Sequence, residues 1–224
     1  RKVRSVGLGG GDDLFAVLSG VGAEKARSAA RWLIGSGADA LLSIGIAGGL
    51  SPDVKPGDIV IAEKVIGEET GAIWRADGAV VKSACETLKG SSLQVLSGAV
   101  ITTARPTLSA GEKEDLYMRS GALAVDMESA AVARAAAKAG VPFFAMRAVS
   151  DEAGRSVSRD IYDCLDEEGG VRSRTLMNNI LRRPSMVQEM LGLRTGFKSG
   201  LSALEAGWGA LVKHGITSSF VPVK

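Results

Sequence analysis

"AVDMESAAVARAAAKAGVPFFAMRAVSDEA" (residues 124–153) decides the fold. It reads as strand, helix, strand. "ALAVDM" (122–127) is a short apolar strand, and "ESAAVARAAAKAG" (128–140) is an Ala-rich helix closed by Gly140. "VPFFAMRAVSD" (141–151) is an apolar run of strand-forming residues that stops abruptly at Ser150-Asp151. Two strands joined by one helix form a right-handed crossover unit, so they are expected to run parallel with their C-terminal ends close together.

The same alternation extends upstream. "LFAVLSG" (14–20) reads as a strand, and "VGAEKARSAARWLIGSG" as a helix with Ala26, Ala29, Ala30, Leu33 and Ile34 at helical spacing, ended by Gly35 and Gly37. "ADALLSIGIAGGL" (38–50) has the continuous apolar run of a strand buried on both faces. "SPDVKPGD" is a turn and "IVIAEKVI" (59–66) the next strand. Residues 67–79 are polar and Gly-rich, an exposed excursion. A helix over 79–89 and a strand over 93–103 follow. Ser109 and Glu112 form a capping-box pattern that starts a helix running to Ser120. From about residue 155 the chain is mostly helical, with Leu201, Leu204, Trp208 and Leu211 on one face. The expected fold is α/β: a single-domain αβα sandwich with a central mixed, largely parallel twisted sheet and a helical tail over 155–224 packed on it. There is no internal repeat, linker or low-complexity segment.

Composition narrows the chemistry. The 224 residues fit one domain, and 46% hydrophobic with 23% charged residues is an ordinary globular mix. A net charge of +2 gives no case for nucleic acid or a polybasic membrane surface. Cys85 and Cys164 lie far apart without a CxxC pattern, which suggests neither a disulfide framework nor zinc and fits a reducing cytoplasm. No apolar run approaches a membrane span. The single histidine, His214, lies at the end of the last helical segment, where a cation satisfies a helix C-terminus. Histidine-based triads and metal sites are therefore disfavoured, and acid–base work falls to carboxylates.

Four stretches are candidate sites. "SIGIAGGLSPD" (43–53) puts glycines at a strand's C-terminal end. It is either a loop that a ligand can approach closely or simply a tight turn, and no helix follows it as a dinucleotide fingerprint requires. "LSGVGAEKARSAA" (18–30) is a strand, Gly turn and helix, read either as a phosphate seat at the helix N-terminus or, in preference, as glycines placed for helix packing. Asp126 and Glu128 lie two apart where a strand passes into a helix, and Glu128 also reads as a plain first-turn acid. Asp151 reads either as a turn residue or as a carboxylate delivered by a buried strand. Asp126, Glu128 and Asp151 gathered at one rim beside the glycine loop form a site hypothesis.

These stretches together resemble the purine and uridine phosphorylase superfamily, nearest to the 5'-methylthioadenosine/S-adenosylhomocysteine nucleosidases. The resemblance rests on "IGIAGGLSPDVKPGDIVI" (44–61) and on the 124–153 stretch, at matching separation, and covers roughly residues 14 to 153. It implies cleavage of an N-glycosidic bond in a purine nucleoside without cofactor or metal, by hydrolysis or with phosphate as co-substrate. By the same resemblance, Asp151 hydrogen-bonds the purine and helps protonate N7, and Ser150 orients it. Glu128 accepts from the ribose hydroxyls, Met127 packs on sugar or base, and Val125 touches the base. Ala47 and Gly48 line the cleft. Asp126 belongs to the same substrate-binding set, standing where the nucleosidases have glutamate. Thr102, Thr103 and Arg105 are phosphate candidates by composition.

The resemblance also sets expectations for the two ends of the chain. Residues 1–13 are read as too short and too Gly-rich to supply both the family's first strand and its loop, so the residue that activates water or phosphate is not identified. "RTLMNNILRRPSMVQEMLGLRTGFKSGLSALEAGWGALVKHG" (174–215) resembles the hopanoid-associated phosphorylase branch. That implies a substrate with a long apolar 5′ group, adenosylhopane, giving adenine and a ribosyl-phosphate hopane. It also implies a protein that meets membranes only through such a lipid. A homo-oligomer is expected on the resemblance alone. The rival reading is a nucleoside-binding protein on the same fold with little or no turnover.

Overall fold

A computed structural model of the chain describes residues 3–7, 13–162, 186–216 and 220. The elements in chain order are β1 (Val3–Gly7), β2 (Asp13–Val17), α1 (Ala23–Gly35), β3 (Leu41–Gly49), β4 (Ile59–Gly67), β5 (Ile73–Arg75) and α2 (Gly78–Leu88). β6 (Val95–Thr102), α3 (Ala110–Ser120), β7 (Ala124–Asp126), α4 (Ser129–Ala139), β8 (Phe143–Asp151), α5 (Arg159–Tyr162) and α6 (Met186–Lys213) complete them. Cys164 and the 163–185 part of the helical tail lie outside the described residues.

The main sheet has the order β5-β4-β6-β7-β3-β8, and β8 also pairs with β4, so five strands close into a ring. Two parallel blocks build it: β4, β6 and β7 in one direction, β3 and β8 in the other. They meet at two antiparallel seams, β3 with β7 and β4 with β8. The expected parallel arrangement of the two strands around α4 is therefore corrected. β7 and β8 flank β3 but run in opposite directions, because the twisted sheet closes on itself instead of staying open. β3 and β7 overlap only at their tips, Gly48 opposite Val125 and Gly49 opposite Ala124.

β8 shows why this is an αβα sandwich. Phe143, Ala145 and Val149 point to one side, against residues of α1 and α4 such as Ala30, Ala133 and Ala136. Phe144, Met146 and Ala148 point to the other, with Val80, Ala84 and Leu88 of α2 and Ala203 and Leu211 of α6. Both faces are buried, so the strand reads as a continuous apolar run. α3 starts on the expected capping box of Ser109 and Glu112. α4 ends at Gly140, whose φ of 69° is left-handed.

Other expectations shift. β2 is a strand as read, but it pairs antiparallel with β1 outside the main sheet, and β1 lies within the Gly-rich 1–13 segment. The excursion after β4 holds a short strand, β5, paired antiparallel with it through Val65 and Trp74. On α6, Leu211 is buried and Leu204 and Trp208 pack beside it, but Leu201 is 49% exposed. Gly196 and Gly200 instead face β8, where a Cβ at Gly200 would lie 2.8 Å from the carbonyl oxygen of Val149. α6 thus touches the backbone of β8 just before Asp151.

Candidate active site

Asp151 is delivered by an irregularity in β8. Ala47 pairs with Val149 and Gly48 with Asp151, so Ser150 is the extra residue of a bulge. A bulge at a strand end re-aims the side chains around it. Ser150 Oγ lies 2.7 Å from Asp151 Oδ1, to which it donates, and 3.2 Å from the carbonyl oxygen of Ala47. Gly48 sits between Asp151 and Val125. A Cβ there would stand 3.5 Å from Asp151 Oδ2 and 3.3 Å from Val125 Cγ1. The glycine keeps the space over its backbone narrow but open. Ala47 and Val125 are buried beneath this tip, and Ser150 and Asp151 are half-buried.

The other oxygen of Asp151 has a partner that sequence reasoning did not single out. Lys113 Nζ, in the first turn of α3, donates to Asp151 Oδ2 and to the carbonyl oxygen of Glu152, the latter at 2.8 Å. Lys113 is 1% exposed. A faint signal existed, since Lys113 lies one helical turn before Leu116, the other inward-facing residue of α3.

Asp126 is redirected from the expected substrate-facing position. Its carboxylate is fully buried and faces inward, toward the guanidinium of Arg147. Arg147 Nε donates to Asp126 Oδ2 at 2.7 Å, Thr102 Oγ1 donates to Oδ1 at 2.6 Å, and the Ser129 N–H reaches both oxygens at 3.2 and 3.3 Å. The remaining Arg147 donors go to Ser43 O, Met146 O, Ser43 Oγ and Ser129 Oγ at 2.6–3.0 Å. Every guanidinium N–H therefore has an acceptor, which is what a buried arginine requires. Thr102, a phosphate candidate by composition, is spent in this network, since its oxygen also accepts from the Ala130 N–H at 3.0 Å. Thr103 is buried and donates to the Arg105 carbonyl at 2.8 Å. Of the three phosphate candidates only Arg105 is exposed.

Glu128 stands at the N-cap position of α4 but makes no side-chain cap bond. Its Oε1 accepts from the Gly22 N–H at 2.6 Å, and Oε2 from the Met127 N–H at 3.2 Å. It thereby ties the start of α1 to the start of α4. Burial pushes its carboxyl above the ordinary range and the Asp126 charge adds to that, against the lowering effect of the Gly22 N–H and of Arg147. Met127 is half-buried beside it.

Other features lie apart from this tip. A cavity of about 420 Å³ is lined by Ile73, Trp74, Asp77, Gly140 and Phe143. Phe143 begins β8, roughly 26 Å along the strand from Asp151, so this cavity is not the carboxylate site. His214 Nδ1 lies 2.8 Å from the Ala210 carbonyl oxygen and donates to it at the end of α6. Among the described residues no three His, Cys, Asp or Glu side chains gather as a metal-holding cluster, and no helix is long and apolar enough to cross a membrane.

Comparison with known proteins agrees with this architecture. The 5'-methylthioadenosine/S-adenosylhomocysteine nucleosidase of Bacillus licheniformis is 28% identical over 197 residues, covering 77% of this chain and 82% of that one. The Oceanobacillus iheyensis protein of the same name is 28% identical over 157 residues, covering 62% and 68%. The crystal structure of the Neisseria meningitidis nucleosidase in complex with methylthio-immucillin-A superposes with a TM-score of 0.70 at 22% identity, over 95% of this chain and 90% of that one. Futalosine hydrolase of Helicobacter pylori gives a TM-score of 0.68 at 19% identity, over 95% and 88%. At such identities the structural likeness speaks for the fold. Residues 2–180 match the phosphorylase superfamily, and the chain belongs to that superfamily.

Proposed function

We propose that this enzyme cleaves the N-glycosidic bond of an adenine nucleoside. The observation that carries the reading is the carboxylate of Asp151 at the bulged tip of β8, faced by the bare backbone of Gly48, with Val125 on the far side. Asp151 hydrogen-bonds the purine and shares a proton with N7, so the base leaves neutral as the C1′–N9 electron pair moves onto it. Ser150 fixes the orientation through its 2.7 Å bond.

Glu128 follows Val125 by three residues, a chain reach of at most about 11 Å. In this reading it accepts from the ribose hydroxyls, and its charge stabilises the oxocarbenium-like transition state. Met127 packs on the sugar. Asp126 and Thr102 are left out of the substrate contacts because both side chains are buried in the Arg147 network, whereas Glu128 and Asp151 are only half-buried. Arg105, exposed after β6, is the cation available if phosphate is the acceptor. Leu191, Phe197 and Leu201 are about half-exposed on α6, the helix packed on β8. They favour a substrate with a long apolar 5′ group.

The test is release of free adenine from adenine nucleosides, with and without phosphate, and with short and alkyl-extended 5′ groups. A phosphate requirement assigns phosphorolysis, and turnover without phosphate assigns hydrolysis. Binding of adenine or a nucleoside with no turnover of any substrate would favour the binding-protein reading instead.

A further inference from the structure

Lys113 is a buried cation that the proposed chemistry has not used, and unlike the buried Arg147 it reaches Asp151. Its ammonium is 1% exposed and spends its donors on Asp151 Oδ2 and on the backbone of Glu152. Two further bonds tie the same part of α3 to the segment after Asp151. The Val157 N–H donates to the Leu108 carbonyl at 2.7 Å, and the Ala110 N–H donates to Ser156 Oγ at 3.0 Å. The start of α3 therefore clasps residues 151–157, and Lys113 is the only charged side chain of the clasp that reaches the carboxylate.

An ammonium removed from water is costly unless it is paired, so a lysine here is a demanding choice for a purely structural tether. With Ser150 on Oδ1 and Lys113 on Oδ2, the carboxyl group is held from both sides and cannot rotate freely.

We propose that Lys113 is a positioning residue that holds Asp151 toward the leaving base. This rests on the proposed cleavage reaction and deepens it. Asp151 takes up a proton from solvent as the purine binds; when it passes that proton to N7, the O–H bond breaks, the N7–H bond forms and the carboxylate paired with Lys113 is restored. The Lys113 ammonium faces that carboxylate and stabilises it as its charge develops. Its effect is expected on turnover, not on binding of the sugar or base.

The experiment compares Lys113→Met and Lys113→Arg, each in the wild-type and Asp151→Asn backgrounds, using adenine release and amide hydrogen exchange. Lys113→Met is expected to lower kcat by about 100-fold, the scale of a misplaced catalytic group, with KM within a few-fold. Lys113→Arg, which keeps a cation, is expected to recover part of that loss. In the Asp151→Asn background Lys113→Met should cost nothing further in kcat. Exchange over residues 152–157 should rise in Lys113→Met while β3 and β8 stay protected. Lys113→Met protein that is folded and turns over at the wild-type rate overturns the proposal, as does an equal loss in both backgrounds. Wild-type protein that cleaves no adenine nucleoside overturns the cleavage reading. The exchange arm then decides on Lys113, and unchanged exchange removes the positioning role too.

Discussion

Removing Arg147 tests whether Asp126 belongs to the core or to the substrate. In Arg147→Met the Asp126 carboxylate keeps only the Thr102 hydroxyl at 2.6 Å and the Ser129 N–H at 3.2 Å. Its charge is then buried and unpaired, which costs about 3–5 kcal/mol. A domain's whole stability is about 5–15 kcal/mol, so the variant should lose a fifth of it or more. Asp126→Asn should also destabilise, by about 3–5 kcal/mol, because it leaves the buried Arg147 guanidinium without its counter-charge. The double variant Asp126→Asn/Arg147→Met removes both charges and should be more stable than the sum of the singles by at least about 1 kcal/mol. Urea titration followed by tryptophan fluorescence reads all three, since Trp32, Trp74 and Trp208 span the fold. In the folded fraction, Asp126→Asn should leave the nucleoside KM within a few-fold. A stability loss below about 1 kcal/mol together with a tenfold rise in KM would refute the inward-facing role and return Asp126 to the substrate.

Three further outcomes follow from particular contacts. Glu128 is raised by burial above its reference value of 4.5. The folded state therefore binds more protons above that pH, and stability falls as pH rises through the window that begins there. Glu128→Gln should flatten this fall in a series of melting temperatures, and an unchanged slope would show that another group causes it. Gly196→Ala drives a Cβ into the carbonyl oxygen of Ser150 and should destabilise by about 1–3 kcal/mol despite the better helix former. Gly209→Ala on the same helix meets nothing within 4 Å and should stabilise by about 1 kcal/mol. Equal denaturation midpoints for these two variants would contradict the close seating of α6 on β8.

Much of this fold is legible in the sequence because burial leaves a direct mark. β8 is covered on both faces along most of its length and β3 is nowhere exposed, so both read as mainly apolar runs, and Gly140 and the Ser109–Glu112 pair punctuate helices by known chemistry. The strand directions were not legible. A three-residue β7 carries no sign of which neighbour it will pair with, and its antiparallel overlap with β3 depends on closure of the whole sheet. Asp126 turns inward because the buried Arg147 takes its carboxylate, while the tips of β7 and β8 still meet across Gly48. Arg147 looked like an ordinary member of "FFAMRAVSD", because only the folded ring brings Ser43, Asp126 and Ser129 around it. Lys113 hid for a related reason, since a lysine in a polar first turn reads as solvent-facing until Asp151 is placed opposite.

The central claim is that the carboxyl group of Asp151 acts on the leaving purine, and Asp151→Asn tests it most directly. Asparagine keeps the shape, and its one oxygen can still accept from either Ser150 or Lys113, but it cannot transfer a proton. Adenine release should fall by about 10²–10⁴-fold, while the dissociation constant of an adenine nucleoside, measured by calorimetry, stays within about tenfold. Turnover and affinity that fall together by the same small factor would contradict it and leave Asp151 as a binding residue only.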